Sequence, residues 1–208
     1  MFAFDNTWEV LGLLGGIVAL RAAVPHLRPL HRHRGAILEF VDSGLVAVLL
    51  VFCILRPFVI QAFYIPSGSM LPTLHLQDRI LVNKFIYYFR EPRFGEIVVF
   101  EAPQYVSAAK KDFIKRVVGL PGDSIAVHDG CLYINGERKD EPYIRELHFY
   151  NFPERGGEFV VPEDTVMVFG DNRNDSNDSH RWGPLPRDNM LGKAFCIFWP
   201  PHRIQLVH

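Results

Sequence analysis

Within its first sixty residues the chain carries two apolar runs, Val10 to Leu20 and Leu45 to Leu55, with a basic stretch between them. A helix that spans a bilayer needs about 20 apolar residues, and runs of about 10–14 are more often core helices or re-entrant segments. The first run extends past Arg21 to Val24, and the second reaches back to Ala36 only by including Glu39 and Asp42. The flanks decide between the readings. Residues 1–20 contain no Lys or Arg, whereas Arg21, Arg28, Arg32 and Arg34 cluster between the runs beside His26, His31 and His33. Short loops rich in Arg and Lys stay on the cytoplasmic side of a membrane. We therefore expect residues 1–60 to form an anchor in the lipid bilayer with two transmembrane helices. Its basic loop, residues 26–35, would be cytoplasmic, and both outer ends would lie across the membrane. The first run lacks a basic leading segment, so it does not read as a cleaved targeting peptide.

Composition narrows the remainder. Of 208 residues 49% are hydrophobic and 13% aromatic, which excludes a wholly disordered chain. A net charge of −1 gives no electrostatic footprint for nucleic acid. Three cysteines are too few for a disulfide scaffold. The His31-x-His33 pair lacks third and fourth ligands, so neither a metal nor another cofactor is expected. Cys53 falls in the second expected span. Cys131 and Cys196 would face an oxidising compartment, either paired or free.

After Pro66 the pattern turns to period-2 alternation with frequent turn residues. Arg79–Asn83, Glu96–Phe100, Phe113–Val118, Thr165–Gly170 and Lys193–Trp199 read as strands. Ile125–His128 and Leu132–Ile134 flank Asp129-Gly130, and Asn135-Gly136 follows, which is hairpin chemistry. The expectation is a mainly β domain over residues 61–208, with antiparallel sheet closed into a barrel-like form. The polar stretch Arg138–Gly157, broken by prolines and a Gly-Gly pair, reads as an inserted loop.

Two segments carry potential chemistry. Ile65-Pro66-Ser67-Gly68-Ser69-Met70-Leu71-Pro72-Thr73-Leu74 brackets two hydroxyls and a glycine between prolines. Such a turn can present a serine Oγ beside a backbone N–H able to bind an oxyanion. In Asp112–Gly119, strand alternation puts Phe113, Lys115 and Val117 on one face. Burial among apolar neighbours disfavours an ammonium, and only the neutral amine can take a proton from serine. No G-x-S-x-G elbow is present, and no motif supports His75 or His180 as an alternative base.

Taken in order, these motifs resemble the bacterial type I signal peptidases (leader peptidases), membrane-anchored serine proteases with a Ser–Lys dyad. The resemblance is carried by Pro66–Leu74, Arg79–Lys84, Gly95–Phe100, Phe113–Asp123 and Gly170–Ser179. It implies that Ser69 is the nucleophile and Lys115 the general base. Ser67 would complete the oxyanion hole with Ser69 N–H, and Ser176 would orient the lysine amine by a hydrogen bond. Ile65 and Ile114 would line shallow substrate pockets. Asp171, Arg173, Arg116 and Asp178 match a supporting charged network. One departure stands out: the family commonly reads Asp-Ser-Arg where this chain has Asp178-Ser179-His180-Arg181. Either Arg181 reaches Asp178 after a local shift, or His180 takes the arginine's place.

The implied function is removal of signal peptides from secreted pre-proteins at the outer face of the bacterial cytoplasmic membrane. Met70, Leu71, Phe63 and Tyr64 form either a surface dipping into lipid or ordinary core. The competing functions are a specialised peptidase for one pilin-type substrate and an inactive membrane-anchored β module of the secretion machinery. A soluble Ser–Lys self-cleaving repressor fits poorly with the apolar N-terminus.

Overall fold

The computed structural model describes residues 7–24, 34–51 and 60–207. The chain divides into two compact units that part near Gln61.

The first unit holds two helices that pack on each other, α1 (Thr7–Ala23) and α2 (Arg34–Leu50), of 17 residues each. At 1.5 Å per residue such a helix is about 26 Å long, short of the roughly 30 Å hydrocarbon core. Among the described residues no helix is long and apolar enough to cross a membrane, so two spans are not shown. Arg21, Glu39 and Asp42 account for part of the difference, because they interrupt the apolar runs. Arg21 and Asp42 meet across the two helices, with Nε 2.5 Å from Oδ1. Val18, Leu20, Phe40, Val46, Leu49 and Leu50 are exposed on the same pair. The basic loop up to residue 33, the second run from residue 52 and Cys53 lie outside the described residues.

The second unit is mainly β. Its strands are β1 (Ile60–Tyr64), β2 (Arg79–Asn83), β3 (Ile97–Glu101), β4 (Asp112–Gly119), β5 (Ser124–His128), β6 (Cys131–Ile134) and β7 (Glu137–Arg138). They continue with β8 (Phe159–Val160), β9 (Thr165–Phe169), β10 (Leu185–Pro186), β11 (Met190–Trp199) and β12 (Gln205–Leu206). A large curled sheet runs β1-β2-β11-β3-β4-β9-β10, with β12 added beside β11, and a smaller one runs β7-β6-β5-β8. The pairs β2–β11, β11–β3, β3–β4 and β4–β9, which build the centre of the large sheet, are antiparallel. One short helix, α3 (Ser179–Trp182), follows β9.

The turn chemistry read from the sequence is present. Asp129 and Gly130 have φ of 51° and 74°, and Asn135 and Gly136 have 53° and 77°, the left-handed pairs that type I′ hairpins require. Strand β4 is buried from Ile114 onward and serves three apolar clusters at once. Ile114 packs with Phe63, Ile65, Met70 and Leu74, Val118 with Ile125 and Phe169, and Val117 with Phe100 and Val168. Phe63 and Met70 are therefore core, not a lipid-facing surface. The segment 138–157 is not a free loop either. Phe152 exchanges two backbone hydrogen bonds with Val127 at 2.7 and 2.9 Å, and Glu141 and His148 are buried. Cys131 and Cys196 are both free thiols.

Candidate active site

Pairing with β3 and β9 on its two sides fixes β4 in the large sheet. That rigidity holds the Lys115 side chain in place at 4% exposure. Its Nζ lies 2.8 Å from Ser69 Oγ and donates to Ile114 O at 2.9 Å. The Phe113 ring centroid is 5.6 Å from the same nitrogen. Burial pushes the Lys115 amine down from 10.5 to about 8, against a smaller upward pull from the Asp178 and Asp171 carboxylates. Near that pH half of the amine population carries a lone pair free to accept the proton of the Ser69 hydroxyl.

Ser69 sits in the turn between β1 and β2. Met70 and Leu74, both fully buried, plug this turn into the core. Its carbonyl is pinned by Asn172 N–H at 3.1 Å, and Asn172 Nδ2 holds Gly68 O at 3.1 Å. No acceptor for Ser69 N–H is found among the described residues, which leaves that donor available beside Oγ. Ser67 is exposed at the mouth of the same turn. Ile65 and Ile114 do come together, but in one buried apolar cluster.

The segment after β9 threads beneath the turn. A Cβ on Gly170 would lie 2.4 Å from Ser69 O and 2.3 Å from Ser176 Oγ. Only glycine allows this close approach of backbone and nucleophile. The bond expected between Ser176 and the lysine amine is not formed. Ser176 Oγ is buried without a partner among the described residues, while Lys115 Nζ is engaged by Ser69 and Ile114.

The charged network is present and larger than the sequence reading. Arg116 grips Asp171 through two bonds of 2.7 and 2.8 Å, and Asp171 also accepts from Thr73 Oγ1. Arg173 donates to Gly170 O at 2.9 Å and to both oxygens of Glu141 at 2.6 and 2.8 Å. Glu141 and His148, which the sequence reading missed, reach in from segment 138–157, and Tyr143 lays its ring 3.9 Å from the Arg116 guanidinium. Burial raises the Glu141 carboxyl, but hydrogen bonds from His148 and Arg173 outweigh it and hold the group below its usual range. The family departure resolves in favour of His180. Its Nδ1 is 2.6 Å from Asp178 Oδ1, while Arg181 Nε donates to the far ring nitrogen at 3.3 Å. Asp178 Oδ2 accepts Gly170 N–H at 2.8 Å, so the histidine steadies the residue under the nucleophile. Among the described residues no cluster of His, Cys, Asp or Glu is placed to hold a metal ion.

A buried amine at hydrogen-bond distance from a turn serine suits proton abstraction and nucleophilic attack. Comparison with known proteins places the chain in a family. Residues 37–199 match the model of the family described as signal peptidase, peptidase S26. A probable signal peptidase I-2 of Synechocystis sp. is 45% identical over 172 residues, covering 82% of this chain and 77% of that protein. The signal peptidase I of Leptolyngbya laminosa is 45% identical over 155 residues, covering 72% of this chain and 74% of that protein. A crystal structure of a signal peptidase I from Enterococcus faecalis is 28% identical, with a TM-score of 0.40, covering 50% of this chain and 97% of that one. A family match over most of the chain, relatives of that identity and a Ser–Lys pair in hydrogen-bond contact agree: this chain belongs to the signal peptidase family, peptidase S26, and is a serine peptidase of that family.

Proposed function

We propose that the chain removes signal peptides from pre-proteins, with Ser69 as nucleophile and Lys115 as general base. The observation that carries this reading is the 2.8 Å contact between Lys115 Nζ and Ser69 Oγ, made by an amine that is almost fully buried. Neutral Lys115 takes the hydroxyl proton as Oγ adds to the scissile carbonyl. The oxyanion is held by Ser69 N–H and Ser67 Oγ. The lysine ammonium then gives its proton to the departing amine, leaving an acyl-Ser69 ester. The amine, neutral again, activates a water that hydrolyses the ester. Ser176, whose hydroxyl makes no bond to that amine, backs the site by packing against Gly170 beneath the nucleophile. Ile65 and Ile114 floor apolar pockets that accept small side chains at the first and third positions before the cut.

The helical unit serves as the membrane anchor. Its exposed Val, Leu and Phe side chains suit lipid contact. The Arg21–Asp42 pair lets two charges that interrupt the apolar runs neutralise each other. Residues 26–35 lie on the cytoplasmic side and residues 61–208 outside it. The intact Ser–Lys contact counts against an inactive module.

The test uses the full-length purified protein and a secretory precursor at alkaline pH. Wild type cleaves, while Ser69→Ala and Lys115→Ala do not, with circular dichroism unchanged. Near-native turnover by Lys115→Ala would overturn the dyad. Thiol labelling of cysteines placed at residues 26–35 in intact cells tests topology, and ready labelling there would overturn the anchor.

A further inference from the structure

The turn that carries Ser69 runs from Ile65 to Asp78, and its two ends are tied together. Ile65 N–H donates to Asp78 O and Gln77 N–H to Ile65 O, each at 2.9 Å. The Asp78 carboxylate is 1% exposed and accepts His75 N–H at 2.8 Å. A carboxylate this buried is costly unless a cation meets it. That cation comes from the far end of the chain. Arg203 Nε lies 2.9 Å from Asp78 Oδ1, and Nη2 lies 3.0 Å from Oδ2.

The same guanidinium does a second thing. Arg203 Nη2 also donates to Thr73 O at 3.3 Å. Thr73 is four residues from Ser69, and its hydroxyl donates to Asp171. It is thus held from two directions, at its hydroxyl by the segment beneath the turn and at its carbonyl by Arg203. Arg203 ends the 3₁₀ turn Pro201–Arg203, none of whose residues is buried. Just beyond, Val207 N–H bonds Phe195 O at 2.9 Å, and its side chain packs in the cluster that seats Met70 and Leu74. Arg203 and Val207 themselves lie past residue 199, where the family match ends.

We infer that Arg203 is a positioning residue for the nucleophile: its planar fork spans Asp78 and Thr73 O and so sets where Ser69 Oγ stands opposite Lys115. The inference rests on the proposed role of Ser69. Lys115 is fixed by a central strand, but Ser69 belongs to a turn, so their separation is only as definite as the turn's clamps. A guanidinium can meet both acceptors at once, whereas an ammonium is a point donor. A misplacement of about 1 Å at a reacting atom costs on the order of 10²-fold in rate.

The experiment compares full-length wild type, Arg203→Ala and Arg203→Lys on one precursor, at a temperature where circular dichroism shows each protein folded. Arg203→Ala is expected to lose about 10²-fold in kcat with KM within about twofold, and Arg203→Lys to recover part of that loss. A purely structural clasp would lower the melting temperature and leave kcat of the folded protein intact, and that result overturns the inference. If Arg203→Ala does not fold, Arg203→Lys decides: kcat about tenfold down supports positioning, and native kcat refutes it. Cleavage by wild type with kcat unaltered in Arg203→Ala sinks this inference alone. A wild type that cleaves nothing sinks the peptidase reading, and this one with it.

Discussion

Replacing Lys115 by Met should abolish activity and stabilise the fold at neutral pH, with a gain that fades as pH rises. An amine shifted from 10.5 down to about 8 by burial means the folded state binds the proton less tightly than the unfolded state does. That difference is worth about 3 kcal/mol. Below pH 8 both states are protonated and the folded protein bears the whole penalty. Between pH 8 and 10.5 the unfolded chain alone holds the proton, so wild-type stability rises by about 1.4 kcal/mol for each pH step of one. Above 10.5 the penalty has vanished. Methionine has similar bulk and no charge, so Lys115→Met escapes this dependence. It does lose the bonds to Ser69 Oγ and Ile114 O, at about 1 kcal/mol each, which trims the net gain near pH 7 to about 1 kcal/mol. Urea unfolding of both proteins across pH 6 to 10 measures the gap. A parallel profile of kcat/KM against pH, rising to half its plateau near 8, reports the same amine independently. A stability gap that stays flat across this range, or a kinetic midpoint near 10.5, would refute the argument that burial lowers the pKa of this lysine.

Two further outcomes follow from the site. Ser67→Ala should lower kcat on a precursor by about 10²–10³-fold with little change in KM, the scale of one oxyanion donor; an unaltered rate would reduce Ser67 to a turn residue. Glu141→Gln leaves the Arg173 guanidinium, which has no exposed side-chain surface, without its counter-charge. It should cost about 3–5 kcal/mol in unfolding free energy, read by urea titration, and a loss under 1 kcal/mol would show the clasp to be dispensable.

How much was legible depended on how local the cause was. The hairpins at Asp129-Gly130 and Asn135-Gly136 are set by backbone preferences of the two residues involved, so their strands could be placed within a residue or two. Ser69 and Lys115 stood out because five short motifs in their order carry the family resemblance, and two of them hold these residues. By contrast β11 lies between β2 and β3, and nothing in Met190–Trp199 names strands about a hundred residues upstream as its neighbours. Glu141 and His148 sit in a polar stretch that reads as loop, and they are buried only because Arg173 waits across the fold. Arg203 belongs to no motif at all. Ser176 is the reverse case: it was singled out by resemblance, yet its hydroxyl is packed against Gly170 instead of bonded to the amine.

The arrangement of acids around Lys115 has its own logic. A bare carboxylate beside an amine raises its pKa and would keep it protonated, and so useless as a base, at ordinary pH. Asp171 and Asp178 nevertheless lie close enough to pull on Lys115. Each is already spoken for. Asp171 is forked by Arg116 and bonded by Thr73, and Asp178 is bonded by Gly170 N–H and His180. Their charge is thereby turned to holding the turn and the backbone beneath it, and only a remnant opposes the burial that frees the amine. Weakening either partner should then act twice, loosening Ser69 and raising the pKa of Lys115. Residue 180 bears on this balance, since an arginine there would set a fixed positive charge against Asp178 at every pH. His180→Arg is accordingly expected to move the midpoint of the kcat/KM profile to lower pH, and a shift in the opposite direction would mean that Asp178 acts on the lysine through geometry alone.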